Sequence, residues 1–447
     1  MRIGFYGGMA NDMYMMAQAL AGQGLDVRFV RDRSNHDALS QPSWQDAPMV
    51  LTEAQARASA SWSWEHWAAL ERDSGWQAPQ WLVDPLVSSL PGAAPQGACG
   101  MDALFLRAML ARRPHLARAL HLLRECDFIV ANTVEGATLA LVSGRPYLLW
   151  PHGSDVRFAA GLERPKGGGL RGAVENYFWG RLIRAAYSRA EAVGSHDPKA
   201  SGGQMGNALG FVPRERIEFL PLPIAALDVP QGRAARRERL ARFCAQAGVP
   251  VPESELVFVI PSRVDFFWKG HDRFFRALAA TPAAQRCQVL VTGWGRDAQA
   301  AQGLVAGGPM AQRVTFLPVI ASKPVLYDLL MGADLVVDQF NIGGYGAAAL
   351  EAMACGAPVM IWLDEAVFAG HGFPVPPVLN VRDEASIAGA LADTFSGAVD
   401  LESVGRKGLA WVCEHHGAAP VAQRLRQLVH GWLQDGPQTG PGLGGRL

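Results

Sequence analysis

The segment from Ala333 to Met360 constrains the fold of this chain more than any other stretch. It begins with the apolar run Leu335–Val337, typical of a buried strand, and continues into Asn341–Gly346, which is too rich in glycine for regular structure. A strong helix-forming run from Ala347 to Cys355 follows and ends in Gly-Ala-Pro. The pattern predicts strand, glycine loop, helix and strand, the repeating unit of an α/β fold.

The predicted loop and helix also indicate a ligand. Glycines allow a close approach to the backbone, and a helix begins with unpaired N–H groups at the positive end of its dipole, which suits a diphosphate. Glu351 lies about two turns into the helix, roughly 10 Å from its start, where a carboxylate is better placed for hydroxyls than for phosphate. A nucleotide sugar fits both positions. The alternative is an ordinary surface glutamate, and the pattern alone does not separate the two.

Two cations follow the first predicted strand of the second half of the chain. Arg263 and Lys269 come after the apolar run Leu256–Ile260 and flank a turn. Fixed cations at this edge of a sheet would neutralise the charge that builds on a departing diphosphate. Two surface cations beside a tight turn are the alternative.

In the first half, small or polar residues follow the predicted strands Arg2–Tyr6, Tyr147–Trp150 and Ala192–Val193. The carboxyl ends of parallel strands meet at the edge where open α/β sheets bind ligands. The residues at these ends are Gly7, Gly8, His152, Asp155, Ser195 and His196. His152 is the candidate for a contact with a sugar, and a histidine that only caps the next segment is the alternative.

The segment from Leu350 to Val359 resembles the donor-site motif of family 4 retaining glycosyltransferases of the GT-B fold, in which a Glu-x7-Glu pattern leads into Glu-Ala-Met-Ala-x-Gly-x-Pro-Val. Glu351 matches the second acid of that pattern. Gly343 stands where the first acid is expected, and Asp338 and Gln339 are the nearby candidates to replace it. The resemblance is strong over residues 255–365 and implies an α/β protein of the GT-B fold, with two Rossmann-like domains facing across a cleft.

The resemblance also assigns roles to residues of this chain. It implies catalytic roles for His152, Arg263, Lys269 and Glu351. The residues that it implies for donor binding are Gly7, Gly8, Leu317, Val319, Gly343, Gly344, Tyr345 and Glu351, and those left open as acceptor or sugar contacts are Asp155, Ser195, His196 and Asp338. The implied reaction is transfer of a sugar from a nucleotide-diphosphate donor, with UDP or GDP as the expected nucleotide, without metal or cofactor.

The expected domain organisation follows the same plan. Residues 1–224 form an N-terminal acceptor domain with a Trp-rich insertion at about 41–100, and residues 225–415 form the donor domain. Residues 416–434 form a helix that crosses back to the first domain, and residues 435–447 form a flexible tail. The insertion holds six of the 13 tryptophans, which either line an acceptor site or hold a loop-rich segment in place.

Composition narrows the class of protein. Lys plus Arg and Asp plus Glu both total 41, which gives no electrostatic reason to expect nucleic acid as a partner. The six cysteines are scattered singly, and no signal peptide is recognisable, so a cytoplasmic protein is expected. One predicted basic helix, Leu104–Leu123, leaves peripheral contact with the inner face of a membrane open, although a solvated helix face is the commoner explanation. The sequence does not indicate an oligomeric state.

Three other functions stay open or are disfavoured. Gly343 in place of an acid suits a GT-B scaffold that binds a sugar nucleotide or a partner protein without turnover. A sugar-nucleotide epimerase on the same fold is a further alternative. A nicotinamide oxidoreductase is disfavoured because neither half carries G-x-G-x-x-G followed by an acid about twenty residues later.

Overall fold

The computed structural model describes residues 1–86, 95–96, 100–151, 154–161, 169–195, 210–370 and 372–434. Its strands are β1 (Arg2–Tyr6), β2 (Asp26–Val30), β3 (Val50–Thr52), β4 (Leu82–Val83), β5 (Phe128–Ala131), β6 (Tyr147–Leu149), β7 (Ala192–Ser195), β8 (Ile217–Phe219), β9 (Leu256–Ile260), β10 (Cys287–Thr292), β11 (Val314–Leu317), β12 (Val319–Ala321), β13 (Leu335–Val337), β14 (Val359–Ile361) and β15 (Leu379–Asn380). Its helices are α1 (Asp12–Gly22), α2 (Pro42–Asp46), α3 (Glu53–Ala58), α4 (Trp64–Asp73), α5 (Gly100–Arg112), α6 (Pro114–Arg124), α7 (Thr133–Ser143), α8 (Ser154–Ala159), α9 (Leu170–Arg189), α10 (Arg233–Ala247), α11 (His271–Ala280), α12 (Ala298–Ala306), α13 (Lys323–Gly332), α14 (Ala347–Ala354), α15 (Glu365–Gly370), α16 (Glu384–Ser396), α17 (Leu401–His415) and α18 (Ala418–Gln434).

The chain divides into two compact units, each built on a parallel sheet. The first unit holds Met1–Pro42, Ala78–Pro223 and the chain from Ala418 onward, and its strand order is β4-β2-β1-β5-β6-β7-β8. The second unit holds Ser43–Gln77 and Ile224–Gly417, and its main sheet has the order β11-β10-β9-β13-β14-β15. The α/β alternation predicted from the sequence is therefore confirmed in both halves.

Both sheets are covered by apolar packing. Strands such as β5 and β9 are almost wholly buried, which explains why they are continuous apolar runs rather than alternating ones. In the first unit, the ring of Trp432 in α18 stacks on Phe128 of β5 with centroids 5.5 Å apart. The last described helix thus packs on the sheet of the first unit.

Residues 43–77 lie in the second unit, whereas the expected division placed them in the first domain. Strand β3 pairs antiparallel with β12, and the backbone N–H of Met49 donates to Ser322 Oγ at 2.8 Å. The hydroxyl of Ser322 donates in turn to the carbonyl of Ala47 at 2.8 Å. Trp44 and Trp67 are 1% exposed, so these two indoles pack inside the unit and offer no surface to an acceptor.

The predicted helix Leu104–Leu123 is wrong as one element. The structure ends α5 at Arg112 and begins α6 at Pro114, so that Arg113 separates two helices. Proline lacks the N–H that would continue the first helix, and it is well suited to the first position of a new one. In the described part of the chain, no helix has both the length and the apolar character needed to cross a bilayer.

Candidate functional site

The loop between β9 and α11 carries both predicted cations. The side chain of Arg263 is 50% exposed, with its Nε 3.8 Å from Asp265 Oδ2. Lys269 is only 15% exposed, and its Nζ lies 2.6 Å from Asp338 Oδ1. The loop is well ordered by backbone hydrogen bonds, including those from the N–H of Lys269 to the carbonyl of Asp265 and from the N–H of Phe340 to the carbonyl of Lys269. Both cations lie beside an acid, but Arg263 is half exposed whereas Lys269 is mostly buried.

Asp338 is the centre of a buried polar cluster at the end of β13. Its side chain has no exposed surface, and its Oδ1 accepts from Lys269 and from Ser262 Oγ at 3.0 Å. Its Oδ2 is buried and has no hydrogen-bond partner among the described residues. Sequence reasoning left Asp338 open as a sugar contact and missed Ser262, although Ser262 lies only two residues after the end of the neighbouring strand β9.

His271 ties the start of α11 to this cluster. Its Nε2 lies 2.6 Å from the carbonyl oxygen of Asp338, so the ring N–H donates to that carbonyl. The ring is fully buried, and Nδ1 has no partner in the described part of the chain. Burial and then the nearby charge of Lys269 lower the pKa of His271 to about 4. The imidazole is consequently neutral at physiological pH.

Gly343 has no room for the acid that the family pattern places there. Its φ is +75°, and a Cβ built on it would lie 2.9 Å from the Cη2 atom of Trp362 and 3.2 Å from Asp364 Cβ. The carbonyl of Gly343 also accepts from the N–H of Asp364 at 2.9 Å. Both the backbone conformation and the packing of this turn therefore require glycine.

The rest of the glycine loop is fixed by its neighbours. The side-chain amide of Gln339 donates to the carbonyl of Gly344 at 2.5 Å. The amide of Asn341 donates to the carbonyls of Phe266 and Phe267 at 3.1 and 3.0 Å, which joins this loop to the one that carries the cations. The ring of Tyr345 is 3% exposed, and its hydroxyl lies 3.0 Å from His416 Nε2. The Tyr345 side chain thus packs toward α17, where its ring also lies 5.8 Å from that of Trp411.

Helix α14 begins after Gly346, which supplies no side-chain cap. Glu351 lies four residues after the first residue of α14, Ala347, which is about one turn along rather than the two expected from the sequence. Its side chain is 2% exposed, and its Oε1 lies 2.5 Å from Lys323 Nζ. Lys323 is the first residue of α13 and was not singled out from the sequence, because the two residues are far apart in the chain. Glu351 is therefore an ion-paired, buried acid rather than an ordinary surface residue.

The two residues expected near a nucleotide base lie on consecutive strands. Leu317 ends β11 and is 3% exposed, and the carbonyl of Leu317 lies 2.3 Å from where a Cβ on Gly293 would be. Val319 begins β12 and is paired with Thr52 of β3. The antiparallel ladder with β3 covers one edge of this segment.

In the first unit, Gly7 and Gly8 follow β1 at the carboxyl edge of the sheet, as expected. Asp155 is 3% exposed, and its Oδ2 accepts from the hydroxyl of Tyr187 at 3.2 Å. Ser195 ends β7 and is 5% exposed. His152 and His196 lie outside the described residues.

Comparisons with known proteins agree with this architecture. Residues 255–393 match the family model described as Glycosyl transferases group 1. No curated protein matches the chain in sequence. Anabaena HepE in complex with UDP and glucose superposes with a TM-score of 0.58 at 14% identity, over 97% of this chain and 100% of that one.

Two further solved structures show the same likeness. Sucrose-phosphate synthase from Thermosynechococcus elongatus has a TM-score of 0.58 at 17% identity, over 97% of this chain and 100% of that one. WaaG, a glycosyltransferase involved in lipopolysaccharide biosynthesis, has a TM-score of 0.51 at 13% identity, again over 97% and 100%. The predicted fold class is confirmed: the chain has the GT-B fold, with two Rossmann-like α/β units.

Proposed function

We propose that this protein is a retaining glycosyltransferase that moves a sugar from a nucleoside diphosphate sugar to an acceptor hydroxyl. The observation that carries the proposal is the Lys269–Asp338 pair, with Arg263 on the same loop and the glycine loop joined to it through Asn341. The match of residues 255–393 to the glycosyl transferases group 1 model covers all of these residues.

The cations suit a leaving diphosphate. An ammonium group has three N–H donors, and Asp338 occupies one of those of Lys269, so the others can bind phosphate oxygens. Arg263 is half exposed and can add a bidentate contact. The uncapped start of α14 supplies backbone N–H groups to the same charge. These groups stabilise the negative charge that develops on the diphosphate as its bond to the anomeric carbon of the sugar breaks. The acceptor oxygen forms the new bond to that carbon, and its hydroxyl proton passes to the departing phosphate.

The family pattern has an acid where this chain has Gly343, and Asp338 is the proposed replacement for that acid. Its Oδ2 is a buried carboxylate oxygen without a partner in the described chain, and such an oxygen is stabilised when a hydroxyl donates to it. The hydroxyls of the transferred sugar are the natural donors. Glu351 lies in helix α14, which follows the glycine loop, and is the proposed contact for the ribose.

UDP is the first nucleotide to test, because HepE structures hold UDP and UDP-glucose. Isothermal titration with UDP-, GDP-, ADP- and dTDP-glucose should show binding of one nucleotide class. Arg263→Leu should weaken that binding about tenfold or more, since a charge-assisted contact is lost. Arg406→Leu, which removes another exposed arginine, also beside an acid, from α17, is the matched control and should bind as the wild type does.

The proposed reaction needs no metal, so turnover should persist in EDTA. Loss of turnover in EDTA with recovery on addition of Mg²⁺ or Mn²⁺ would contradict that part of the proposal.

A scaffold that binds the donor without turnover is the second candidate, and the glycine at 343 favours it. Hydrolysis and transfer assays with the bound nucleotide sugar separate the two candidates. Binding without release of free UDP across a broad set of acceptors would support the scaffold.

A further inference from the structure

The glycine loop before α14 has little rigidity of its own. Three of its last four residues are Gly343, Gly344 and Gly346, and glycine has more conformational freedom to lose than any other residue. Hydrogen bonds hold the carbonyls of the first two, and between these carbonyls and α14 the chain passes through Tyr345. Backbone N–H groups that bind a ligand must be held in place beforehand, because ordering them on binding costs affinity.

Tyr345 is the one residue of these four that has a side chain, and that side chain is fixed at its ring and at its hydroxyl. The ring is 3% exposed and lies 5.8 Å from the rings of both Phe368 and Trp411. The hydroxyl lies 3.0 Å from His416 Nε2 and forms a hydrogen bond with it. A hydrogen bond restrains direction as well as distance, which apolar contact does not. The bond to His416 therefore helps to set the position of the loop backbone.

His416 is in turn held by its own backbone. It follows the last residue of α17 directly and has no exposed surface. Its N–H donates to the carbonyl of Val412 at 2.8 Å, and its carbonyl accepts from the N–H of Ile224 at 2.7 Å. The next residue, Gly417, forms a β-bridge with Ile224. The imidazole thus projects from a backbone that is bonded on both sides, and it can serve as a fixed point for the loop.

Packing alone does not explain a histidine at this position. The imidazole lies 5.3 Å from the ring of Tyr345 and 5.3 Å from that of Trp411, and an apolar ring would fill the same space. A buried hydrogen bond contributes only modest net stability. A satisfied buried polar pair does, however, rigidify its surroundings and specify one arrangement. This is the property that a loop of glycines needs if it is to bind a ligand through its backbone.

We propose that His416 is a positioning residue, which holds Tyr345 and through it keeps the glycine loop in the conformation that binds the diphosphate of the donor. The diphosphate as the ligand rests on the proposed function, whereas the hold on the loop does not. Helix α14 begins two residues after Tyr345. A shift of the tyrosine backbone would therefore displace the unpaired N–H groups at the start of that helix.

Three variants remove or keep the hydrogen bond with small changes in shape. Tyr345→Phe loses only the hydroxyl, and His416→Phe loses the ring nitrogens. His416→Gln keeps a side-chain amide that can bond to the hydroxyl from about the position of Nε2. His415→Phe is the matched control, because His415 is the neighbouring histidine and also packs on Trp411, with ring centroids 5.1 Å apart.

Isothermal titration with UDP-, GDP-, ADP- and dTDP-glucose gives the first readout. For the nucleotide sugar that binds the wild type, Tyr345→Phe and His416→Phe should each raise Kd about tenfold. His416→Gln and His415→Phe should stay within about twofold of the wild type. The double variant Tyr345→Phe/His416→Phe should bind no more weakly than the weaker single variant, because all three lack the same hydrogen bond.

Two results of these titrations would overturn the proposal. One is wild-type affinity in Tyr345→Phe, which would make the hydrogen bond irrelevant to the donor. The other is an affinity in His416→Gln as low as in His416→Phe, which would assign the effect to the shape of the ring rather than to the bond.

Amide exchange without ligand keeps this result distinct from the proposed function. Exchange at residues 343–347 should be about tenfold faster in Tyr345→Phe and His416→Phe than in the wild type, and unchanged in His415→Phe. If no nucleotide sugar binds the wild type while the loop exchanges faster in both variants, the proposed function fails and the hold of His416 on the loop stands. Unchanged exchange at the loop in both variants would overturn that hold, whether or not a nucleotide sugar binds.

Discussion

At the scale of single residues, the buried side chain of Asp338 is stabilised by hydrogen bonds from two side chains, those of Lys269 and Ser262. It has no exposed surface. Lys269→Met leaves a buried carboxylate without its counter-charge and should lower the free energy of unfolding by about 3–5 kcal/mol. The double variant Lys269→Met/Asp338→Asn removes that charge and should recover most of the loss in urea unfolding, while donor binding stays weak.

Lys407→Met is the control for this pair, since it removes an exposed lysine of α17. It should change neither property. If the double variant is as unstable as the single one, the coupling between Lys269 and Asp338 is not electrostatic.

Gly343 offers a second residue-scale test, because the family pattern predicts an acid where the structure permits only glycine. Gly343→Ala places a Cβ 2.9 Å from Trp362 at a φ of +75° and should cost about 1–3 kcal/mol. Gly346→Ala is the matched control in the same loop: its φ is −121°, and no atom lies within 4 Å of the added Cβ. It should cost less than about 0.5 kcal/mol. Equal losses in urea unfolding would contradict the steric explanation.

At the scale of elements, the sequence predicted most strands and helices of the second unit from Ile224 onward, and the two loops that carry its candidate site residues. Strand β13 and helix α14 lie where the apolar run and the helix-forming run placed them, within a residue at each end. Such elements can be predicted because the pattern of apolar residues that produces them lies within a short stretch of the sequence. The break at Pro114 could also have been predicted, because proline lacks the N–H that would continue a helix. The helical spacing of apolar residues on both sides of Pro114 led instead to the prediction of one helix.

The pairs that join elements were not predictable in the same way. Lys323 meets Glu351, and Tyr345 turns toward His416, across long stretches of chain. Such contacts depend on how helices pack, which no local spacing encodes. The position of Arg263 and Lys269 on one loop could be predicted from the sequence, whereas the ion pair between Lys269 and Asp338 could not.

The contact between His271 of α11 and the backbone after β13 predicts how the stability of the fold depends on pH. His271 begins α11 and holds the carbonyl that follows β13, with a pKa of about 4. Because the unfolded chain binds a proton on this histidine near pH 6.5, stability is fully present above that pH and is lost as pH falls toward 4. The loss should approach about 3 kcal/mol.

Urea unfolding of the wild type between pH 7 and 4 measures this slope. His271→Asn keeps a donor for the carbonyl but cannot titrate, so its slope should be flatter. His430→Asn, which changes an exposed histidine of α18, should leave the slope as in the wild type. A slope in His271→Asn as steep as that of the wild type would assign the acid sensitivity to other groups.

At the scale of the whole molecule, the chain enters the second unit twice, first over residues 43–77 and again from Ile224. The early excursion was expected to stay with the first domain because composition records only that it is irregular and rich in tryptophan. Its attachment includes the ladder of β3 with β12 and the buried hydroxyl of Ser322. The second unit therefore includes a contact between residues 273 positions apart in the chain, Met49 and Ser322.

Ser322→Ala tests this attachment. It deprives the N–H of Met49 and the carbonyl of Ala47 of their partner inside the unit, and each unsatisfied buried group costs about 1–3 kcal/mol. Amide exchange at residues 47–52 should therefore accelerate about tenfold or more, while exchange in the sheet of the first unit stays as in the wild type. Ser396→Ala, which removes an exposed hydroxyl bonded only to Asp393, is the control. Exchange at residues 47–52 that is unchanged in Ser322→Ala would mean that the β3–β12 ladder holds the excursion without the hydroxyl.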